Sequence, residues 1–317
     1  YYESQTYLLG KELVAKGLAK SVFQQKPDGS VWIDLTADGL DEKLVQRKDG
    51  TSVYITQDIG LAEQKQAEFG ANQSIYVVGD EQNYHFKVLK LICQKLDLPG
   101  AAGIDHLSYG MVELPTGKMK SREGTVVDAD DLVADMVRIA QEKTETLGKV
   151  DDFSAEERTV LFDTIGLGAL KFFLLRVDPK KKMIFNPEES IDFHGFTGPF
   201  VQYTHARIKS ILRKAPDAMG STDLGAAEWL KLEKELALEL EQFPTVLQTA
   251  ATTQDPSQVA IYVFSVAKTF STFYAEHSIL KAESPAYLQR RLALAKLTAR
   301  VLHRAMGLLG ISVPEQM

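Results

Sequence analysis

Gly117-Lys118-Met119-Lys120-Ser121-Arg122-Glu123-Gly124-Thr125-Val126-Val127 sets three cations and a hydroxyl between two flanking glycines. Before it runs an apolar stretch, 107–112, that reads as a strand. After it the spacing predicts a helix opening near Asp130. A glycine-flanked basic loop in that position can close over a polyphosphate. Its cations stabilise the charge that builds up as a phosphate leaves, and its glycines let the backbone come close. Short Lys/Arg runs read equally as solvated surface, so the surroundings decide.

Upstream, apolar residues at helical spacing predict a helix over 4–20. A hairpin follows, with strands at 22–23 and 31–33 about a Pro27-Asp28-Gly29 turn. Lys48-Asp49-Gly50 reads as a turn into a strand over 52–56. Then the pattern alternates: helix 59–69, strand 74–78, helix 84–96, strand 107–112. Such alternation predicts a parallel sheet with ligands at the carboxyl ends of its strands. Gln57-Asp58, residues 79–85 and the basic loop all sit there. Beyond Val150 strands nearly vanish, and helices are predicted over 155–176, 198–215, 226–251, 256–280 and 285–309. The expected architecture is therefore α/β over residues 1–150, followed by an all-α helix bundle over 151–317.

The bulk numbers agree with two domains. The chain has 317 residues, enough for two cores, and no apolar run long enough to span a bilayer. Its one cysteine, Cys93, lies in the apolar pattern Val88-Leu89-Lys90-Leu91-Ile92-Cys93, which reads as core and fits a reducing cytoplasm. One Cys and scattered His cannot build a zinc site. The net charge is −7. Residues 1–150 hold 17 Lys and Arg against 23 Asp and Glu, which leaves −1 for 151–317. Phosphate contacts need only a local basic face, so the acidic total does not exclude RNA.

Two further stretches could carry chemistry. In Asp49-Gly50-Thr51-Ser52-Val53-Tyr54-Ile55-Thr56-Gln57-Asp58-Ile59, Tyr54 and Asp58 would leave one strand end together. A ring and a carboxylate so placed suit a cationic ligand such as a guanidinium. The same residues also read as a core tyrosine and a helix-capping aspartate. In Tyr76-Val77-Val78-Gly79-Asp80-Glu81-Gln82-Asn83-Tyr84-His85-Phe86, a glycine ends a strand and polar residues open a helix. That is either a ligand site or an ordinary capped helix. In the helical half, Lys296, Arg300 and Arg304 form one stripe, with Arg290 and Arg291 near its start. Tyr203 and Arg207 are four apart, and Phe270, Phe273 and Tyr274 could stack on unpaired bases or belong to a core.

Taken together these segments resemble the class I aminoacyl-tRNA synthetases, and most closely the arginyl-tRNA synthetase family. The basic loop is similar to that class's Lys-Met-Ser-Lys-Ser signature. Lys118 and Met119 match, while Lys120 stands at the Ser position, Ser121 at the second Lys and Arg122 at the final Ser. The second Lys usually stabilises the leaving pyrophosphate, so the resemblance implies that Lys118, Lys120 or Arg122 substitutes. Asp49–Ile59 and Val77–Phe86 resemble the family's arginine-pocket segments in order, which implies arginine contacts for Tyr54, Asp58 and Gln82. His85 falls at a nucleotide-side position, and Gly110-Met111-Val112 matches the backbone that meets adenine. Lys118, Met119, Lys120 and Ser121 would also contact ATP. Glu3 resembles a family feature as well. Gly168-Ala169-Leu170-Lys171-Phe172-Phe173-Leu174-Leu175, with Lys171 where Arg is usual, is similar to the segment that names the family's anticodon-binding domain. Gly195–Arg207 resembles a further family segment, with Phe196 replacing Asn, and Gly307–Met317 resembles the family's C-terminus.

The resemblance implies a Rossmann-like catalytic half (51–150) behind a connecting segment (1–50), and an anticodon-binding bundle over 151–317. It implies ATP-dependent activation of L-arginine and transfer to tRNA(Arg), with Mg²⁺ arriving on ATP. Tyr203, Arg207, Phe270, Tyr274 and Met317 are the expected tRNA contacts. A monomer acting in the cytoplasm without a membrane partner is expected. The class's His-x-Gly-His signature is not in this sequence, and the chain opens on Tyr1. The expectation is a C-terminal portion of a longer protein, inactive alone, with apolar edges exposed where the other half would pack. The alternatives are a non-catalytic RNA-binding module with the same ancestry, or a class I synthetase for another amino acid. Tyr54, Asp58 and Gln82 argue against cysteine.

Overall fold

Val31-Trp32-Ile33, short and β-prone, forms the middle of a three-stranded antiparallel sheet, β1 (Gln24–Gln25), β2 (Val31–Ile33) and β3 (Lys43–Gln46). The computed structural model describes residues 1–6, 8–113, 115, 128–146, 150, 152–215 and 228–317. These divide into two compact units, Tyr1–Gly110 and Met111–Met317. The basic loop at 117–127 lies outside the described residues.

In the first unit the expected helix over 4–20 is two pieces, α1 (Glu3–Thr6) and α2 (Lys11–Ala19). Gly10 separates them at a left-handed φ of 85°. A Cβ there would sit 1.9 Å from the carbonyl oxygen of Thr56, and one on Gly60 would sit 2.3 Å from Gly10 N. The two backbones therefore touch, and only glycines allow it. Thr56 and Gly60 belong to α3 (Tyr54–Phe69), which begins where a strand over 52–56 was expected. Thr56 accounts for the difference. Its buried hydroxyl accepts the Val53 N–H at 3.3 Å and donates to the Val45 carbonyl. One side chain thus caps the helix and ties it to β3, overriding the β-branched composition. Ahead of it, Asp49 Oδ1 accepts from the Thr51 N–H (3.0 Å) and hydroxyl (2.7 Å), closing the turn.

After α3 the unit follows its expected alternation with β4 (Ser74–Gly79), α4 (Asn83–Lys95) and β5 (Ile104–Tyr109). β4 and β5 are parallel, in register from Ser74↔Ile104 to Gly79↔Tyr109. Ile55, Ile59, Val88, Leu89, Ile92 and Cys93 fill the core beneath. Burial pushes the Cys93 thiol up to about 12, so it is an inert core group. The opposite face of β4 exposes Ile75 and Val77. Parallel strands ordinarily have both faces covered.

The second unit opens with β6 (Val112–Glu113), paired in parallel with β7 (Met183–Ile184). Its helices are α5 (Ala129–Thr146), α6 (Ala155–Leu175), α7 (Pro187–Ser190), α8 (Gly198–Arg213), α9 (Lys231–Glu241), α10 (Phe243–Thr253), α11 (Ser257–Glu276) and α12 (Pro285–Leu308). The helix expected over 226–251 divides at Gln242, because Pro244 in the first turn of α10 has no N–H to continue α9. The compact units part at Gly110, and Met136, Ile139 and Ala140 of α5 share a core with Leu161, Phe162 and Ile165 of α6. α6 and α8 cross closely: a Cβ on Gly198 would lie 2.6 Å from Gly168 O. Buried Gln202 then bridges Thr164 O and Ser312 O, both at 2.9 Å from its Nε2.

Arg290 and Arg291, read from sequence as the start of a basic stripe, are not on the surface. Both side chains and that of Glu233 are fully buried, with Arg290 Nη1 3.1 Å from one Glu233 oxygen and Arg291 Nε 3.2 Å from the other. Arg290 also donates to Glu228 O, and Arg291 to Ser278 O, while Arg291 Nη2 lies 2.8 Å from Glu283 off the hydrogen-bond direction. One carboxylate thus joins α9 to α12 through two guanidinia. Removing it leaves two buried cations short of a counter-charge. Glu233→Ala is expected to destabilise the helical unit by about 3–5 kcal/mol, measured by urea unfolding; a loss below about 1 kcal/mol would contradict the burial of this cluster.

Candidate functional site

α4 opens just after the carboxyl end of β4, and the early turns of α3 and α4 meet there. Tyr54 is the first residue of α3 and is exposed, and Asp58 follows one turn later on the same face. Gln82, also exposed, immediately precedes α4, and His85 lies in the first turn of α4. The structure joins the two helices here: His85 Nε2 lies 2.7 Å from Asp58 Oδ2, with both side chains partly open to solvent. Tyr54 and Asp58 therefore share a helix face rather than the strand end expected from sequence, because Thr56 starts the helix early.

Around this contact the packing is aromatic. The His85 ring meets Phe86 edge-on at 5.6 Å, and Phe86 stacks on His106 at 4.4 Å. Lys65, two turns beyond Asp58 on α3, lies over the Tyr76 ring at 4.4 Å. Burial lowers the Lys65 pKa, and the Asp58 charge partly offsets this. Sequence reasoning missed Lys65; its seven-residue spacing from Asp58 was the available signal. Gly79 and Tyr109 end the paired strands beside the site, and Gly110 is buried where the unit closes. Met111 and Val112 fall in the second unit, where the Met111 carbonyl accepts from Met183 N at 3.2 Å. Lys118, Met119, Lys120, Ser121 and Arg122 lie outside the described residues. Among the described residues, no group of three or more His, Cys, Asp or Glu is placed to hold a metal ion.

In the second unit three of the five expected RNA contacts come together. The Arg207 guanidinium on α8 lies 4.7 Å from the Tyr203 ring and 5.8 Å from that of Tyr274 on α11. Tyr203 and Arg207 are half-buried, and Tyr274 is at the surface. Phe270 is fully buried and stacks behind Tyr274 at 6.2 Å, so it is a core residue supporting the tyrosine and cannot meet a base. Met317 packs partly buried against the α5–α6 core. Lys296, Arg300 and Arg304 are exposed, as the stripe requires.

A parallel α/β unit with its site at the strand ends, and a helical unit carrying a ring-and-cation surface, are the domain types of the class I tRNA synthetases. Residues 8–186 match the family described as tRNA synthetases class I (R), catalytic domain, and 201–317 match the DALR anticodon binding domain. The chain belongs to the arginyl-tRNA synthetase family. The arginine–tRNA ligase of Flavobacterium psychrophilum is 54% identical over all of this chain and 53% of its own length. That of Bacteroides thetaiotaomicron is 51% identical over all of this chain and 54% of its own length. The chain thus spans about half the length of the curated relatives it matches. The arginyl-tRNA synthetase structure from Thermus thermophilus superposes with a TM-score of 0.86 at 26% identity, over 99% of this chain and 59% of that one. Among the described residues no helix is long and apolar enough to cross a membrane.

His205 on α8 ties this bundle to the chain's end through its Nδ1, which lies 2.9 Å from Pro314 O. Burial lowers its pKa, outweighing the stabilising hydrogen bond to Pro314. The folded state therefore takes up this proton only below the ordinary value, whereas the unfolded chain takes it up near pH 6.5. Between the two the unfolded state binds more protons, so stability is full above about pH 6.5 and falls as the pH drops towards the folded pKa. The urea midpoint should decline across that window in the native chain, and His205→Gln should flatten the decline. An unchanged slope in the variant would show that His205 is not responsible.

Proposed function

We propose that the protein containing this chain is an arginine–tRNA ligase. It would join L-arginine to ATP as arginyl-adenylate, releasing pyrophosphate, and then pass the arginyl group to the terminal ribose of tRNA(Arg), releasing AMP. What carries the reading is the Asp58–His85 contact, 2.7 Å long, at the carboxyl end of a parallel sheet, in a chain matched along its length to this family. His85 engages Oδ2 of Asp58, which leaves Oδ1 to receive a guanidinium. Tyr54, one turn earlier, would lay its ring against the same cation, and Gln82 would close the pocket with its amide. His85, on the nucleotide side by family resemblance, would link the two substrates' sites.

Lys118, Lys120 and Arg122 are the candidates for holding the leaving pyrophosphate, with Met119, Ser121 and the Gly110-Met111-Val112 backbone on the remainder of ATP. Mg²⁺ would come with the nucleotide, held chiefly by phosphates and water. Tyr203, Arg207 and Tyr274 would offer a ring-lined surface to unpaired anticodon bases, and Met317, packed against the α5–α6 core, is a tRNA contact by family resemblance alone. The exposed face of β4, with Ile75 and Val77, fits an upstream segment supplying the rest of the catalytic fold. A cytoplasmic enzyme agrees with the single buried thiol, and a monomer is proposed by family resemblance alone.

In the protein joined to its upstream half, Asp58→Ala should raise the KM for arginine roughly 10- to 100-fold, the worth of a hydrogen bond to a charged group. The KM for ATP should move by less than about twofold in the same pyrophosphate-exchange assay. Equal increases in both constants would mean that Asp58 serves folding rather than the choice of amino acid.

A further inference from the structure

α8 and α12 meet along a groove of about 460 Å³ whose walls carry Lys209 and Arg213 from one helix and Lys296, Arg300 and His303 from the other. Buried His205 lies beneath, its ring 6.0 Å from that of His303. One carboxylate enters, Glu315, which pairs with Lys209 at 2.9 Å, and the Glu315 carbonyl accepts from Arg213 Nη1 at 3.0 Å. Among the described residues no carboxylate pairs with Lys296 or Arg300. The C-terminal tail thus fixes the α8 cations in place and leaves the α12 cations to solvent.

This groove is not the ring cluster. Tyr203 and His205 are about 160° apart around α8, so the two surfaces occupy different faces of one helix. Their chemistry differs too. Among the described residues its lining holds no Phe, Tyr or Trp, so charge rather than ring surface dominates it. Its cations instead repeat: Lys296, Arg300 and then Arg304 recur every four residues, about 6 Å apart along α12. A small anion would call for convergent buried donors. Here the buried imidazole already has Pro314 O as partner, and the charges run in two rows. A regularly charged polymer fits that pattern.

We propose that this groove seats the ribose-phosphate backbone of an RNA stem without regard to its sequence, while Tyr203, Arg207 and Tyr274 face the bases of the adjoining loop. The inference rests on the tRNA reading above and assigns a separate surface to it. It is tested on the chain with two RNA hairpins of identical stem, one bearing the tRNA(Arg) anticodon loop and one a scrambled loop, by fluorescence anisotropy across a potassium chloride series.

Lys296→Ala/Arg300→Ala, at two exposed positions, should weaken both hairpins by the same factor, roughly tenfold at low salt. It should also lower the log–log salt slope by about 2, one for each lost phosphate contact. Arg207→Ala should instead weaken only the hairpin with the cognate loop. If the native chain binds RNA and the double variant matches it in affinity and slope, the groove is not a backbone site, though the ligase reading survives. A loss confined to the cognate loop likewise overturns it. A native chain that binds neither hairpin overturns both.

Discussion

The 2.7 Å contact between Asp58 and His85 depends on where α3 begins, and that is fixed by backbone touching backbone. Gly10 meets the Thr56 carbonyl and Gly60 meets Gly10, so α3 lies against the α1–α2 corner without a side chain between them. Thr56 then holds the first turn to β3 through its hydroxyl. With the helix start so constrained, Tyr54 and Asp58 occupy one face at the strand ends, and α4 can bring His85 to meet them. A change that pushed α3 outward by the width of a methyl group would separate the carboxylate from the imidazole.

The helical unit uses its cations in three physically different ways. Arg290 and Arg291 are withdrawn from water and held by Glu233, where breaking the set leaves uncompensated charge. Arg207 is held half-open between two tyrosine rings, which leaves its edge donors for a ligand while restraining its position. Lys296 and Arg300 stand exposed along α12. Sequence spacing could not tell these apart, because adjacent arginines on a helix look the same whether the helix turns them towards Glu233 or towards solvent.

Much of the first unit was legible because its apolar runs are short and its turns are marked. β4 and α4 fell within a residue of their expected bounds, β5 begins and ends three residues earlier than expected, and the Pro27-Asp28-Gly29 turn gave the hairpin with its first strand at 24–25 rather than 22–23. The failures share a cause. Thr51-Ser52-Val53-Tyr54-Ile55-Thr56 is rich in β-formers, yet a tertiary hydrogen bond from Thr56 makes it a helix start. β3 was missed because Lys43-Leu44-Val45-Gln46 has one buried residue and too little alternation to read. Gly10 breaks a helix only because Gly60 approaches it, a contact 50 positions away in the sequence. Phe270 has the period of a stacking residue and of a core residue alike, and the fold chose the core. Tyr54, Asp58 and Gln82 were found through likeness to a family, and the geometry adds what likeness did not give, the imidazole that takes one oxygen of the carboxylate.

On the proposed reading, Asp58, held by His85, recognises the positive charge on the amino acid. Calorimetric binding of arginine and of citrulline, its uncharged isostere, to the full-length protein tests this. The native protein should strongly prefer arginine, and the preference should collapse in Asp58→Asn. A preference that persists undiminished in that variant would contradict it.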